Sequence, residues 1–138
     1  MSNRLDDFGK LILRFAIGGI LLVHGVSKLQ NGIGFVEQMV NQNELPAFLA
    51  YGVYVGEIVA PVLVFAGVLT RPAALIIAFD LAAAILMARR DDIAKITGGG
   101  AWAIEVEMLF LLGGLAIACG IVLASRRGPV TVPVPPAE

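Results

Sequence analysis

The sequence predicts an all-α fold, an integral membrane four-helix bundle with a short interfacial helix between helices 1 and 2. Three observations predict it. Of the 138 residues, 58% are hydrophobic and only 15% are charged, with a mean hydropathy of +0.86, whereas soluble domains carry about 25% charge. Four apolar segments each approach the roughly 20 residues that a helix needs to cross about 30 Å of hydrocarbon. Prolines or glycines stand at the junctions between these segments, at Gly32, Gly34, Pro46, Pro72 and Gly98 to Gly100. The length fits one domain, and we assign residues 1–128 to it, with 129–138 as a Pro-rich tail.

Helix 1 covers about 10–29, LILRFAIGGILLVHGVSKL. Arg14 and His24 interrupt its apolar run and no small-residue cleavage site follows, so it reads as a retained helix rather than a signal peptide. Gly32 and Gly34 then lead into FVEQMVNQNE, where Phe35, Val36, Met39 and Val40 share one helical face, opposite Glu37, Gln38 and Asn41. That segregation predicts the interfacial helix. Pro46 opens helix 2, about 46–69, because proline is tolerated in a first turn, and Pro61 inside it predicts a kink. Thr70 and Arg71 form a turn, and helix 3 occupies about 72–88. The glycines Gly98, Gly99 and Gly100 make a loop before helix 4, about 102–124. Four prolines among the last ten residues exclude a helix there.

Small residues recur every four positions: Gly52, Gly56 and Ala60; Ala74, Ala78 and Ala82; Ala116, Gly120 and Ala124. Such stripes let helix backbones approach closely in lipid, and they predict a tight bundle. Basic residues near helix ends number five on the side of both termini (Arg4, Lys10, Arg71, Arg126, Arg127) and four on the other (Lys28, Arg89, Arg90, Lys95). This bias places both termini in the cytoplasm.

Several functions are excluded by composition. A formal charge of -1 and ten scattered basic residues leave no nucleic-acid surface. With one cysteine, Cys119, and one histidine, His24, the chain alone makes no disulfide, CxxC pair or Cys/His zinc site. Cys119 reads as an apolar packing residue, and Tyr51, Tyr54 and Trp102 suit an aromatic belt.

The informative residues are charges within apolar helices, where each costs at least ~2.5 kcal/mol unless paired, hydrated or used. On helix 1, Arg14, His24 and Lys28 fall in one sector shared with Gly18 and Gly25, a polar stripe facing the bundle. Glu57 lies about 16 Å beyond Pro46 and Asp80 about 12 Å beyond Pro72, both near the midplane. Arg14, Glu57 and Asp80 are therefore candidates for a buried charge network. Helix 1 exits where helices 2 and 4 enter, which levels His24 with Glu105 and puts Tyr54 one turn from Glu57. A ligand pocket lined by His24, Lys28, Tyr54, Glu57 and one of Glu105 and Glu107 is geometrically allowed; those two glutamates stand about 200° apart on a helix, so only one faces inward.

These segments resemble the DoxX family of small bacterial membrane proteins. The resemblance rests on LRFAIGGILLVHGVSKL with its His24-Gly25-x-x-Lys28 element, on GEIVAPVLVFAGVLTRPAA with Glu57, and on the glycine-rich lead into Trp102, Glu105 and Glu107. It covers about 10–124. Met87-Ala88-Arg89 stands where many members carry a histidine, and the usual Ser-Leu-Asp after a Gly-x-Gly is absent from the end. The resemblance implies four transmembrane helices in the bacterial cytoplasmic (inner) membrane and a link to redox biology, since some relatives look like subunits of thiosulfate:quinone oxidoreductase or partners of thiol and superoxide enzymes.

The leading expectation is an accessory or quinone-interacting subunit of a membrane redox system. A quinone carbonyl needs a donor such as His24 or Lys28, and a quinol needs a base such as Glu57. No metal, flavin or haem motif accompanies them, so a quinone is the one cofactor expected and electrons come from a partner. The expected partners are the lipid bilayer, a membrane or redox protein and a second copy of the chain. Two rival readings use the same charges: a small proton-coupled transporter or channel with a Glu57–Asp80 relay, and a noncatalytic membrane scaffold in which the charges merely pair.

Overall fold

The structure, a computed structural model, describes residues 2–126, with side chains over 7–120. The proposed tail at 129–138 lies outside the described residues. Helix α1 runs Ser2–Asn31 and α2 runs Gly34–Gln42. Helix α3, Ala47–Ala66, is composite: a 3-10 segment Ala47–Tyr51, an α turn Gly52–Tyr54, a π turn Val55–Val59 and regular α-helix over Ala60–Ala66. Helix α4 runs Thr70–Ala88 and α5 runs Glu105–Arg126. Three of these are long and apolar enough to cross a membrane: Asp7–Asn31, Ala47–Ala66 and Thr70–Ala88.

Boundaries differ from the sequence reading in four places. Helix α1 begins eight residues before position 10, because nothing in SNRLDDFGK breaks a helix. Helix α3 stops at Ala66, before 69: Gly67 takes a left-handed φ of 75°, its N–H donates to the Val64 carbonyl, and the Val68 N–H donates to the Leu63 carbonyl. This is the Schellman closure that glycine permits. Thr70 and Arg71 then belong to the first turn of α4 rather than to a turn between helices. Trp102 lies outside α5, in a small loop where Ile96 and Trp102 bridge and the indole N–H donates to the Ile93 carbonyl at 2.6 Å. The irregularity expected at Pro61 sits one turn earlier. In the π turn the Ala60 N–H reaches back five residues to the Val55 carbonyl, and Pro61 has no N–H to offer the Glu57 carbonyl.

Packing joins α1 to α3 and α5, and α4 to α3 and α5, so these four helices close a ring. The main core gathers Ile17 and Leu21 of α1, Ala60 and Val64 of α3, Ala73, Ala74, Ile77 and Leu81 of α4, and Phe110, Ile117 and Ala118 of α5. A second cluster lies beneath α2, where Ile33, Val40, Ala50 and Val53 pack with Val36, Tyr54 and Met87. Helix α2 thus closes over the ends of α3 and α4 with Val40, while Phe35, expected on its apolar face, is 69% exposed.

Glycine sets the closest approaches. A Cβ on Gly25 would overlap the Glu57 backbone carbonyl, one on Gly18 would crowd the Pro61 carbonyl at 3.1 Å, and one on Gly114 would lie 3.0 Å from the Ala74 carbonyl. The expected stripes are only partly used. Gly56, Ala60, Ala74 and Ala78 are buried, but Gly52 and Ala116 are exposed, and α5 turns Gly113 and Gly114 inward instead of Ala116 and Gly120. Cys119, expected in packing, is exposed as well. The outer surface carries Phe8, Ile12, Val23, Leu75, Phe79, Leu109 and Leu112. So much exposed apolar surface on helices of this length suits hydrocarbon and not water.

Gly25→Ala forces a Cβ against backbone that cannot move aside, whereas Gly19→Ala meets nothing within 4 Å. Thermal unfolding in detergent is expected to show Gly25→Ala losing ~1 to 3 kcal/mol and Gly19→Ala gaining up to about 1 kcal/mol.

Candidate functional site

Charged side chains from three helices converge at one level. Lys28, in the last turn of α1, places Nζ 2.5 Å from Oε1 of Glu57 in the π turn of α3. The Glu57 side chain is 9% exposed and that of Lys28 36%, so the carboxylate is inside and the ammonium lies at the edge. Lys28 reaches inward because Gly25, three residues earlier, lets the α1 backbone rest on the Glu57 carbonyl. The second carboxylate oxygen, Oε2, is buried with no hydrogen-bond partner. Asp80 of α4 seats its carboxyl against Gly56, where any Cβ would collide with it. That seats the Asp80 carboxyl at the residue before Glu57.

The other candidates stand apart from this centre. His24 is exposed: its Nδ1–H donates to the Ile20 carbonyl at 3.0 Å, which leaves Nε2 as an acceptor, and its ring meets Phe110 edge-on at 5.9 Å. Because Gly25 occupies the contact with α3, His24, about 100° away, falls at the α1–α5 border. Tyr54 packs into the cluster under α2 and lies 6.4 Å from Tyr51, ring to ring. Arg14 is fourteen residues, about 21 Å, from Lys28 along α1, with Nη1 beside Gly67. It therefore does not join Glu57 and Asp80.

Neither α5 glutamate reaches Lys28 or Glu57. Glu105 is exposed, and Glu107 Oε1 lies 3.3 Å from Arg89 Nε, a charge contact off the hydrogen-bonding axis. Arg89 also donates from Nη2 to the Ala103 carbonyl at 2.8 Å and lies 3.6 Å from Asp92, so it ties the end of α4 to the start of α5. In the same loop the Lys95 ammonium hydrogen-bonds Asp92 at 2.9 Å and holds its carboxyl below the usual range. The sequence reading treated Arg89 only as a topology marker. It counted Lys10, too, only toward the charge bias, whereas Lys10 with Arg14, four residues on, lines a cleft between α1 and α5 together with Leu13, Ala116, Ile117 and Gly120. That i, i+4 basic pair was the available signal.

Removing Lys28 strands a buried carboxylate, a loss of ~3 to 5 kcal/mol when both partners are fully buried. Partial exposure of Lys28 places the expected loss for Lys28→Met at the low end. The double variant Lys28→Met/Glu57→Gln removes both charges and is expected to melt above the single variant. Thermal melting in detergent checks the order, and a double variant no more stable than Lys28→Met contradicts the pairing.

The DoxX family model matches residues 9–90. Among curated proteins, "Putative oxidoreductase CatD" of Bacillus subtilis (strain 168) is 38% identical over 84 residues, covering 61% of this chain and 62% of that protein. The chain thus matches somewhat under two thirds of that relative's length. No solved structure matches the chain. The matched family segment runs from within α1 past the end of α4, and it includes Lys28, Glu57 and Asp80. Family, helix lengths and apolar surface agree: the chain belongs to the DoxX family and is a multi-pass membrane protein.

Proposed function

We propose that this chain is a quinone-interacting accessory subunit of a redox system in the bacterial cytoplasmic membrane. The observation that carries the reading is the Lys28–Glu57 pair at the edge of α1, with an unpartnered carboxylate oxygen behind it. The relative's printed name, an oxidoreductase, points the same way. A quinone entering sideways from lipid meets His24 and Lys28, one turn apart and both accessible. The Lys28 ammonium donates to a quinone carbonyl. His24 Nε2, as the free acceptor, receives a quinol hydroxyl, and Glu57 is the base behind Lys28. Tyr54 and the α5 glutamates Glu105 and Glu107 remain outside this contact, as rim residues at most. Electrons come from and return to a partner protein.

The same proposal makes α5 a fourth span. Its 22 residues extend about 33 Å, with acidic groups confined to the first turn. The result is a four-helix transmembrane bundle whose N-terminal end and α5 end share the cytoplasmic side, in line with the basic residues there.

Two measurements test these statements. A photoreactive quinone analogue in reconstituted membranes is expected to label α1 and α3, with labelling cut several-fold by His24→Ala or Glu57→Gln; unchanged labelling in folded variants rejects the quinone contact. Reporter fusions before α1 and after α5 are expected to report the cytoplasm at both ends. Ends on opposite sides reject the fourth span.

A further inference from the structure

The charges at the centre do not balance. Lys28 supplies one positive charge, and Glu57 and Asp80 supply two negative charges when both are ionised. Among the described residues, no other element facing them corrects the deficit. On α1, His24 turns its Nδ1–H to the Ile20 carbonyl and its ring to Phe110, and Arg14 stands about 21 Å away along the helix. Among its described side chains, helix α5 contributes Glu105, which is exposed, and Glu107, which is held by Arg89. The one ionisable group on α2, Glu37, is itself acidic. Tyr54 lies in the cluster under α2.

An uncompensated charge in an apolar interior is removed by taking up a proton rather than sustained. Two carboxylates at adjacent positions of one interior oppose each other's ionisation, because like charges repel. Geometry prepares a place for that proton: Glu57 Oε2 is buried without a partner, and Asp80 is drawn against the α3 backbone at Gly56, the residue before Glu57.

We propose that Glu57 and Asp80 together hold one exchangeable proton, with Lys28 balancing the single negative charge that remains. Release of the proton leaves two carboxylates facing one ammonium, and uptake restores neutrality. No covalent bond other than O–H forms or breaks. The triad is thereby a proton-accepting site inside the membrane domain, and it requires no bound quinone.

Infrared difference spectroscopy of the full chain in phospholipid nanodiscs tests this directly. At neutral pH the wild type is expected to show one protonated-carboxyl C=O stretch per chain, shifted by D2O and replaced by carboxylate bands in alkaline buffer. Glu57→Gln and Asp80→Asn should each abolish it, because one carboxylate remains and Lys28 neutralises it. Lys28→Met should double it, and Glu44→Gln in the loop should leave it intact. Absence of the band from the wild type overturns the proposal, as does its survival in either folded carboxyl variant. Quinone labelling is a separate readout, so failure of that contact leaves the infrared result to decide this one.

Discussion

A carboxylate inside an apolar helix is costly unless something compensates it, and the meeting of Glu57 with Lys28 constrains much of the rest. Lys28 sits on a neighbouring helix, so α1 must come close enough for its side chain to bend inward. Gly25 makes that possible by removing the one atom that would strike the Glu57 carbonyl. The contact fixes the rotation of α1: Ile17 and Leu21 face the core, Val23 faces outward, and His24 falls on the border with α5. Gly56 plays the matching part for α4, receiving the Asp80 carboxyl at the residue before Glu57. One short stretch of α3 therefore engages α1 through its charge and α4 through its missing side chain.

The same stretch departs from regular helix. Pro61 withholds an N–H that a continuous α-helix would direct to the Glu57 carbonyl, and the chain widens into a π turn over Val55–Val59 just before it. Wide turns of this kind expose backbone and re-aim side chains, and they recur at functional sites. Here the turn carries Glu57 itself. The structure accordingly concentrates its backbone irregularity and its buried charge in the same five residues, while α4 and most of α1 stay regular.

The all-helical class, the apolar helices α1, α3 and α4, a short helix between the first two, the end of α4 and the glycine loop were legible because each follows from local pattern: apolar length, 3.6-residue periodicity, proline at an entry, glycine at an exit. The reading slipped in two ways. At Gly67 the signal was local and was read past, a glycine that closes α3 two residues before Leu69 through bonds to Val64 and Leu63; elsewhere the deciding interaction lay further along the chain. Trp102 looks like the start of an apolar helix, but its indole is engaged by the Ile93 carbonyl across the loop. At the site, depth arithmetic placed His24, Lys28, Glu57 and Glu105 at one height, yet height says nothing of azimuth. Gly25 set the azimuth, and no residue spacing within α1 reveals which glycine meets a partner.

That azimuth also separates two groups of charges at the same end of the molecule. Arg89 draws Glu107, Asp92 and the Ala103 carbonyl into a clamp between α4 and α5, so the acids of α5 are spent outside the bundle. What α5 brings to the interior is apolar: Phe110 beneath His24, and Gly113 and Gly114 against Ile17 and Ala74. The ionisable centre is consequently built from α1, α3 and α4 alone, all within the 9–90 segment that defines the family match. A helix that adds no charge there still has a physical effect on it. It packs along α1 and α4 and completes the ring of helices around that interior, and a surrounding less polar than water strengthens both the Lys28–Glu57 attraction and the mutual opposition of Glu57 and Asp80.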